Sequence, residues 1–185
     1  MSAADDEELP PVVVLIVEER AHAADQLAQL LRLWGAIAAQ PVFRLDEVAT
    51  YLDQHGKPAL LLLDHSPPSY ICIDIALWLA ARPALRQRLR VVSYTNADEG
   101  ELLQRLRQRI AELKRDAAVA EQLLGGPGTS EHGALNRLLD EALASEQALE
   151  SVYRRLYYAH LSKRRSIYEV RVTLHAVARA LVAGG

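Results

Sequence analysis

The stretch Pro58-Ala59-Leu60-Leu61-Leu62-Leu63-Asp64-His65-Ser66-Pro67-Pro68 sets four consecutive leucines against one acid and closes on two prolines. A continuous apolar run of this length, bounded by breakers, reads as a strand buried on both faces, as in a parallel sheet. Asp64 then stands at the strand's carboxyl end, where open α/β sheets hold their ligands. An acid there can also simply start a turn or cap a helix, so its meaning depends on the strands around it.

Working outward, residues 12–17 (VVVLIV) form a β-branched run closed by Glu18 and Glu19. Residues 21–33 follow with Ala24, Leu27, Leu30, Leu31 and Trp34 at helical spacing, and Gly35 supplies the stop. Residues 36–43 read as a second short strand, 45–54 as a short helix with Asp46 near its start, and 55–58 as a loop. Beyond Asp64, residues 73–82 read as a helix that Pro83 breaks or bends, and 89–94 as a fourth strand ending at Thr95 and Asn96. Strands and helices alternating over short loops predict an α/β fold, a doubly wound parallel sheet over residues 11–98 with helices on both faces.

The chain has 185 residues, half of them hydrophobic, and a net charge of −3. That suits one domain, or one domain with a helical appendage. Cys72 is the single cysteine, so neither a disulfide framework nor a cysteine metal site is available. No run is long enough for a membrane span, and an N-terminus carrying Asp5, Asp6, Glu7 and Glu8 does not read as a signal peptide. A cytoplasmic protein is expected, with residues 1–10 a disordered acidic lead-in.

After Asp98 the pattern changes. Leu103, Leu106, Ile110, Leu113, Ala117, Ala120 and Leu124 repeat at intervals of three and four. They predict one helix over 99–124, roughly 39 Å long, with a seam suited to a dimerising coiled coil. Its alternative is a helix packed along its own chain. Residues 125–130 form a Gly/Pro linker. A helical module over 131–185 follows, with one run at 132–161 and a last segment carrying Ile167, Val170, Leu174, Val177 and Leu181. Residues 151–185 hold seven basic side chains against the single acid Glu169. Ser166 and Glu169 make a capping box before the last helix. Lys163, Arg164, Arg165 and Arg171 are therefore candidates for phosphate contacts on nucleic acid, against the plainer reading of a solvated helix face. The order helix, SKRRS, helix resembles the end of helix-turn-helix regulators.

Glu18 and Glu19 close the first strand and Asp64 the third, so a doubly wound sheet brings all three to one edge. Carboxylates gathered this way suit a hard cation such as Mg2+, and Asp64 could then carry a phosphoryl group. Here residues 12–98 resemble the receiver domain of two-component response regulators. LIVEER has Glu18 and Glu19 at the metal-binding acid pair, Gly35 precedes the second strand, and LLLLD has Asp64 at the phospho-acceptor position. Pro68 lies four residues on, and VVSYTN has Thr95 at the switch hydroxyl. The separations are 45 residues from Glu19 to Asp64 and 31 from Asp64 to Thr95.

Three departures stand out. The acid pair is Glu-Glu, the Gly after the turn proline is absent, and neither a fifth strand nor its Lys-Pro ending can be found, Lys114 lying inside the heptad helix. The resemblance therefore implies an atypical or pseudo-receiver, acting in signal transduction through protein–protein contact and dimerisation. Phosphorylation at Asp64, with Mg2+ as its cofactor and a histidine kinase or other regulator as partner, is left open. The alternative is a DNA-binding regulator, phosphorelay-controlled or constitutive, using the basic C-terminal helices. No nucleophile with a general base and no Gly-rich phosphate loop points to an enzyme.

Overall fold

The computed structural model describes residues 8–42, 44, 47, 48, 50, 51, 54, 58–65, 69–116, 119, 121 and 130–184. Pro68, Ala117, Ala120, Leu124 and nearly all of the Gly/Pro linker lie outside the described residues.

The strands are β1 (Val13–Val17), β2 (Ala38–Pro41), β3 (Ala59–Leu63), β4 (Leu89–Thr95) and β5 (Ala159–Ser162). They form one five-stranded sheet in the order β2-β1-β3-β4-β5, and every pairing is parallel. The leucine run lies at its centre with every residue buried, as a strand covered on both faces must. β1, equally apolar, pairs with it in register from Val13↔Ala59 to Val17↔Leu63. Glu18 and Asp64 therefore follow paired strand ends.

Seven helices with defined bounds accompany the sheet among the described residues: α1 (Ala21–Leu33), α2 (Ile71–Ala80), α3 (Pro83–Gln87), α4 (Glu99–Arg115), α5 (Ser130–Ala144), α6 (Glu146–Leu156) and α7 (Ile167–Ala183). Pro83 opens α3, at a helix start where its missing N–H costs nothing. Gly35 ends the first helical segment at φ 97°, and a Cβ there would meet the Glu8 Cβ at 2.9 Å.

Side-chain alternation along the strands divides the core in two. Val12, Val14, Ile16, Leu60, Leu62, Val92 and Leu161 pack under α1 and α7. Val13, Leu15, Val17, Leu61, Leu63 and Val91 pack under α2, α4, α5 and α6.

Several expectations for the second half are corrected. Ser145 caps α6 by accepting from the Ala148 N–H at 3.0 Å, so the run expected over 132–161 is two helices. The chain then leaves helix at Tyr157. The Tyr158 N–H donates to the Val91 carbonyl at 2.7 Å, and a fifth strand begins where helix was expected. A strand, not a helix, precedes α7, which removes the helix-turn-helix order. The Ser166–Glu169 capping box is present, and Val170, Leu174, Val177 and Leu181 bury α7 against the sheet. Residues 131–185 thus contribute to the sheet and both helical layers, not to a separate module.

The helix expected over 99–124 is bounded as α4 at Glu99–Arg115, opened by an Asp98–Glu101 capping box. Its buried stripe is Leu102, Leu106, Ile110 and Leu113. Leu106, Ile110 and Leu113, assigned to a dimer seam, are packed in the chain's own core, and Leu103 lies against its edge. Leu106, Ile110 and Leu113 are covered intramolecularly, in the core that α4 shares with α5, α6 and the sheet. Of the residues 1–10 expected as a disordered lead-in, 1–7 lie outside the described residues. Leu9 is buried, and its N–H donates to the Trp34 carbonyl at 2.6 Å.

Candidate functional site

The carboxyl ends of β1, β3, β4 and β5 meet at an open cleft of about 810 Å3, whose lining includes Glu18, Glu19, Asp64, Thr95, Arg105 and Lys163. Its centre is an ion cluster. The Lys163 ammonium donates to Glu18 Oε2 and to Asp64 Oδ2, each at 2.7 Å. All three side chains are largely out of water, with Lys163 14 % exposed and the carboxylates 6 % or less. A buried pair of acids at neighbouring strand ends would repel, and the ammonium between them offsets that repulsion. The other Glu18 oxygen accepts from the Arg20 backbone N–H and from Arg20 Nε, both at 3.1 Å. Burial alone would raise the Glu18 carboxyl. The contacts with Arg20, Asp64 and Lys163 outweigh it and hold the group down at about 2.

The backbone beside Asp64 is fixed on several sides. The Asp64 N–H donates to the Val17 carbonyl at 2.9 Å, and the Cys72 thiol donates to the Asp64 carbonyl at 3.0 Å. Burial, with Asp64 nearby, pushes that thiol up, so it stays protonated and serves as a donor. Thr95 is buried at the end of β4. Its hydroxyl donates to the His65 carbonyl at 3.3 Å and accepts from the Ala97 N–H at 3.3 Å.

His65 follows Asp64 but faces inward. It is 2 % exposed, stacks edge-on against Tyr157 at 5.2 Å, and finds no described hydrogen-bond partner for either ring nitrogen. Burial, then the charge of Arg105 and His160, lowers it to about 3, so the ring is neutral. On the same side of the sheet, Ser93 Oγ and His160 Nδ1 lie 3.0 Å apart across the β4–β5 pairing.

The expected metal set is not assembled. Glu18 and Asp64 are together, but Lys163 occupies an oxygen of each, and Glu19 is exposed. Among the described residues no group of three or more His, Cys, Asp or Glu side chains is gathered for a metal ion. The donors as arranged do not fit Mg2+, which needs several free oxygens in near-octahedral array.

Sequence reasoning placed Lys163 with the nucleic-acid contacts. Its ammonium is instead consumed in the acid cluster, leaving Arg164 and Arg165 exposed beyond it and Arg171 half-buried on α7. Arg20 and Arg105 were missed. The pairing of an acid with an arginine two residues on was visible at Glu18-Glu19-Arg20. Arg105 carried no local signal, because its partners are carbonyls distant in sequence.

No family model matches the sequence, and no curated protein matches it. The fold itself defines the class: an α/β protein with a five-stranded, all-parallel sheet of flavodoxin-like order, with its polar cleft at the carboxyl edge. No helix among the described residues is long and apolar enough to cross a membrane.

Proposed function

We propose that this chain is a receiver-like regulatory protein: the Asp64 cleft receives a signal, and contact with other proteins transmits it. The observation that carries the reading is the Lys163 ammonium, 2.7 Å from Asp64 Oδ2 and delivered by the strand that completes the sheet. An ammonium at that distance stabilises an anionic Asp64 and is placed to neutralise charge added there. Thr95 supplies a hydroxyl at the adjacent strand end. Among the described residues that line the cleft no nucleophile is paired with a general base, and the proposed role is regulatory.

Modification of Asp64 is the form of input that Lys163 favours. A phosphoryl group on Asp64 would break the Lys163 bridge to Glu18 or draw it further, changing the charge balance of the whole cluster. The test is an amide NMR spectrum of the full chain with beryllofluoride or acetyl phosphate, with and without Mg2+. Shifts at residues around Asp64, Thr95 and Lys163 that disappear in Asp64→Asn are expected. An unchanged spectrum under all of these conditions would remove Asp64 as the input site.

A further inference from the structure

Two arginines one helical turn apart on α4 reach across to residues that follow Asp64 in the chain. Arg105 donates from Nη1 to the His65 carbonyl at 2.8 Å and from Nη2 to the Ser69 carbonyl at 2.5 Å. Arg109 makes a two-bond fork with Asp74 on α2, Nε to Oδ1 and Nη2 to Oδ2, both at 2.8 Å. The Tyr70 ring lies between them, 5.8 Å from the Arg105 guanidinium carbon and 5.3 Å from that of Arg109. Spacing of four residues puts both guanidinium groups on one helix face.

The two contacts differ in what they hold. Arg109 joins helix to helix through side chains. Arg105 grips two backbone carbonyls beyond Asp64, those of His65 and Ser69, and it shares the His65 carbonyl with the Thr95 hydroxyl. Any movement of the His65 carbonyl, one residue beyond Asp64, must therefore stretch or release a planar fork anchored on α4. Two bonds from one rigid guanidinium transmit direction as well as distance, which a lysine at the same place could not do. At its far side α4 is tied to the α5–α6 hairpin by Arg107 to Glu146 at 3.5 Å and Lys114 to Asp140 at 2.7 Å.

We infer that Arg105 is the positioning residue that couples the state of Asp64 to α4 and, through α4, to the hairpin above it. This deepens the reading of Asp64 as an input site and rests on that reading for its biological purpose. The coupling itself is a property of the chain that can be measured without any phosphodonor.

Hydrogen exchange of the full-length chain, read by mass spectrometry over α4, provides the test. Asp64→Asn, which weakens the hold of Lys163 on β3, is expected to change α4 exchange at least about three-fold, with α1 on the opposite face unaffected. The same Asp64→Asn change made in an Arg105→Lys background is expected to leave α4 exchange where Arg105→Lys alone puts it. Arg105→Gln serves as a second background if the lysine variant is poorly folded. A merely structural Arg105 would shift the baseline of α4 but leave the Asp64-dependent step intact. Persistence of that step without Arg105, or its absence when Arg105 is present, would overturn the coupling. A silent beryllofluoride experiment would count against Asp64 as an input site but would not touch this result.

Discussion

The two faces of the sheet are built to different specifications. Under α1 and α7 the fully buried strand side chains are all apolar, from Val12 and Val14 to Leu62 and Leu161. Under α2, α4, α5 and α6 the same strands carry an apolar floor at one end and polar groups at the other. His65, Ser93 and Thr95 are buried there with His160 beside them. The excursion between β4 and β5 adds its extra helices to this second face alone. The excursion roofs the side of the sheet that holds the polar machinery. A plain apolar face needs two helices; a face with neutral histidines and threonine hydroxyls needs them sealed from water and held in place.

Truncating the roof and the plain face should give the largest effects. Ile110→Ala and Leu174→Ala each remove a fully buried side chain and are expected to cost about 2–5 kcal/mol in denaturant unfolding. The contrast lies in the site: Ile110→Ala should loosen exchange around His65 and Thr95, while Leu174→Ala should not. Equal loosening in both would mean that the two faces are not functionally distinct.

Acid sensitivity should come next. His65 is held near 3 inside the fold against an ordinary value of 6.5, so the unfolded chain takes up its proton first. Its contribution is full above about pH 6.5 and is lost as the pH falls toward 3, with His160, also lowered by burial, acting in the same direction. Between pH 6.5 and 4.5 the His65 share is about 2 kcal/mol. His65→Phe is expected to flatten that stretch of a stability–pH curve. Glu18, lowered from 4.5 to about 2, supplies a separate loss between about pH 4.5 and 2 which the substitution should leave in place.

Gly35→Ala, on the plain face, forces a side chain onto a positive φ and into Glu8, and about 1–2 kcal/mol of destabilisation is expected in thermal melts. The smallest effect should come from Arg107→Ala, which breaks an exposed pair with Glu146 across the roof. A change within about 1 kcal/mol is expected.

Legibility in the sequence followed the range of the interactions. β1 and β3 announce themselves as unbroken apolar runs and β4 by its Val91-Val92 pair, and the positions of Glu18, Asp64 and Thr95 at their ends follow. Gly35 and the Ser166–Glu169 cap were also readable, because their chemistry is local. β5 was hidden for a physical reason. It has four residues, only Leu161 is fully buried, and it lies directly after α6, whose apolar spacing runs up to Leu156. An edge strand covered by a helix on each side needs little apolar signal of its own. Lys163 was consequently seen as one more base in a basic tail. The heptads of α4 were real as an amphipathic pattern, but periodicity cannot say whether a seam meets another chain or its own sheet, and Leu106, Ile110 and Leu113 meet their own.

Asp64 and Lys163, residues 99 positions apart, form one charge cluster with Glu18 at the sheet edge. A double-mutant cycle in urea unfolding tests it most directly. Lys163→Met alone strands two buried carboxylates and should cost about 3–5 kcal/mol. Adding Asp64→Asn should recover a good part of that loss, leaving a coupling energy well above the error of about 0.5 kcal/mol expected for independent sites. Strictly additive costs would contradict the cluster and, with it, the site on which this account of the protein rests.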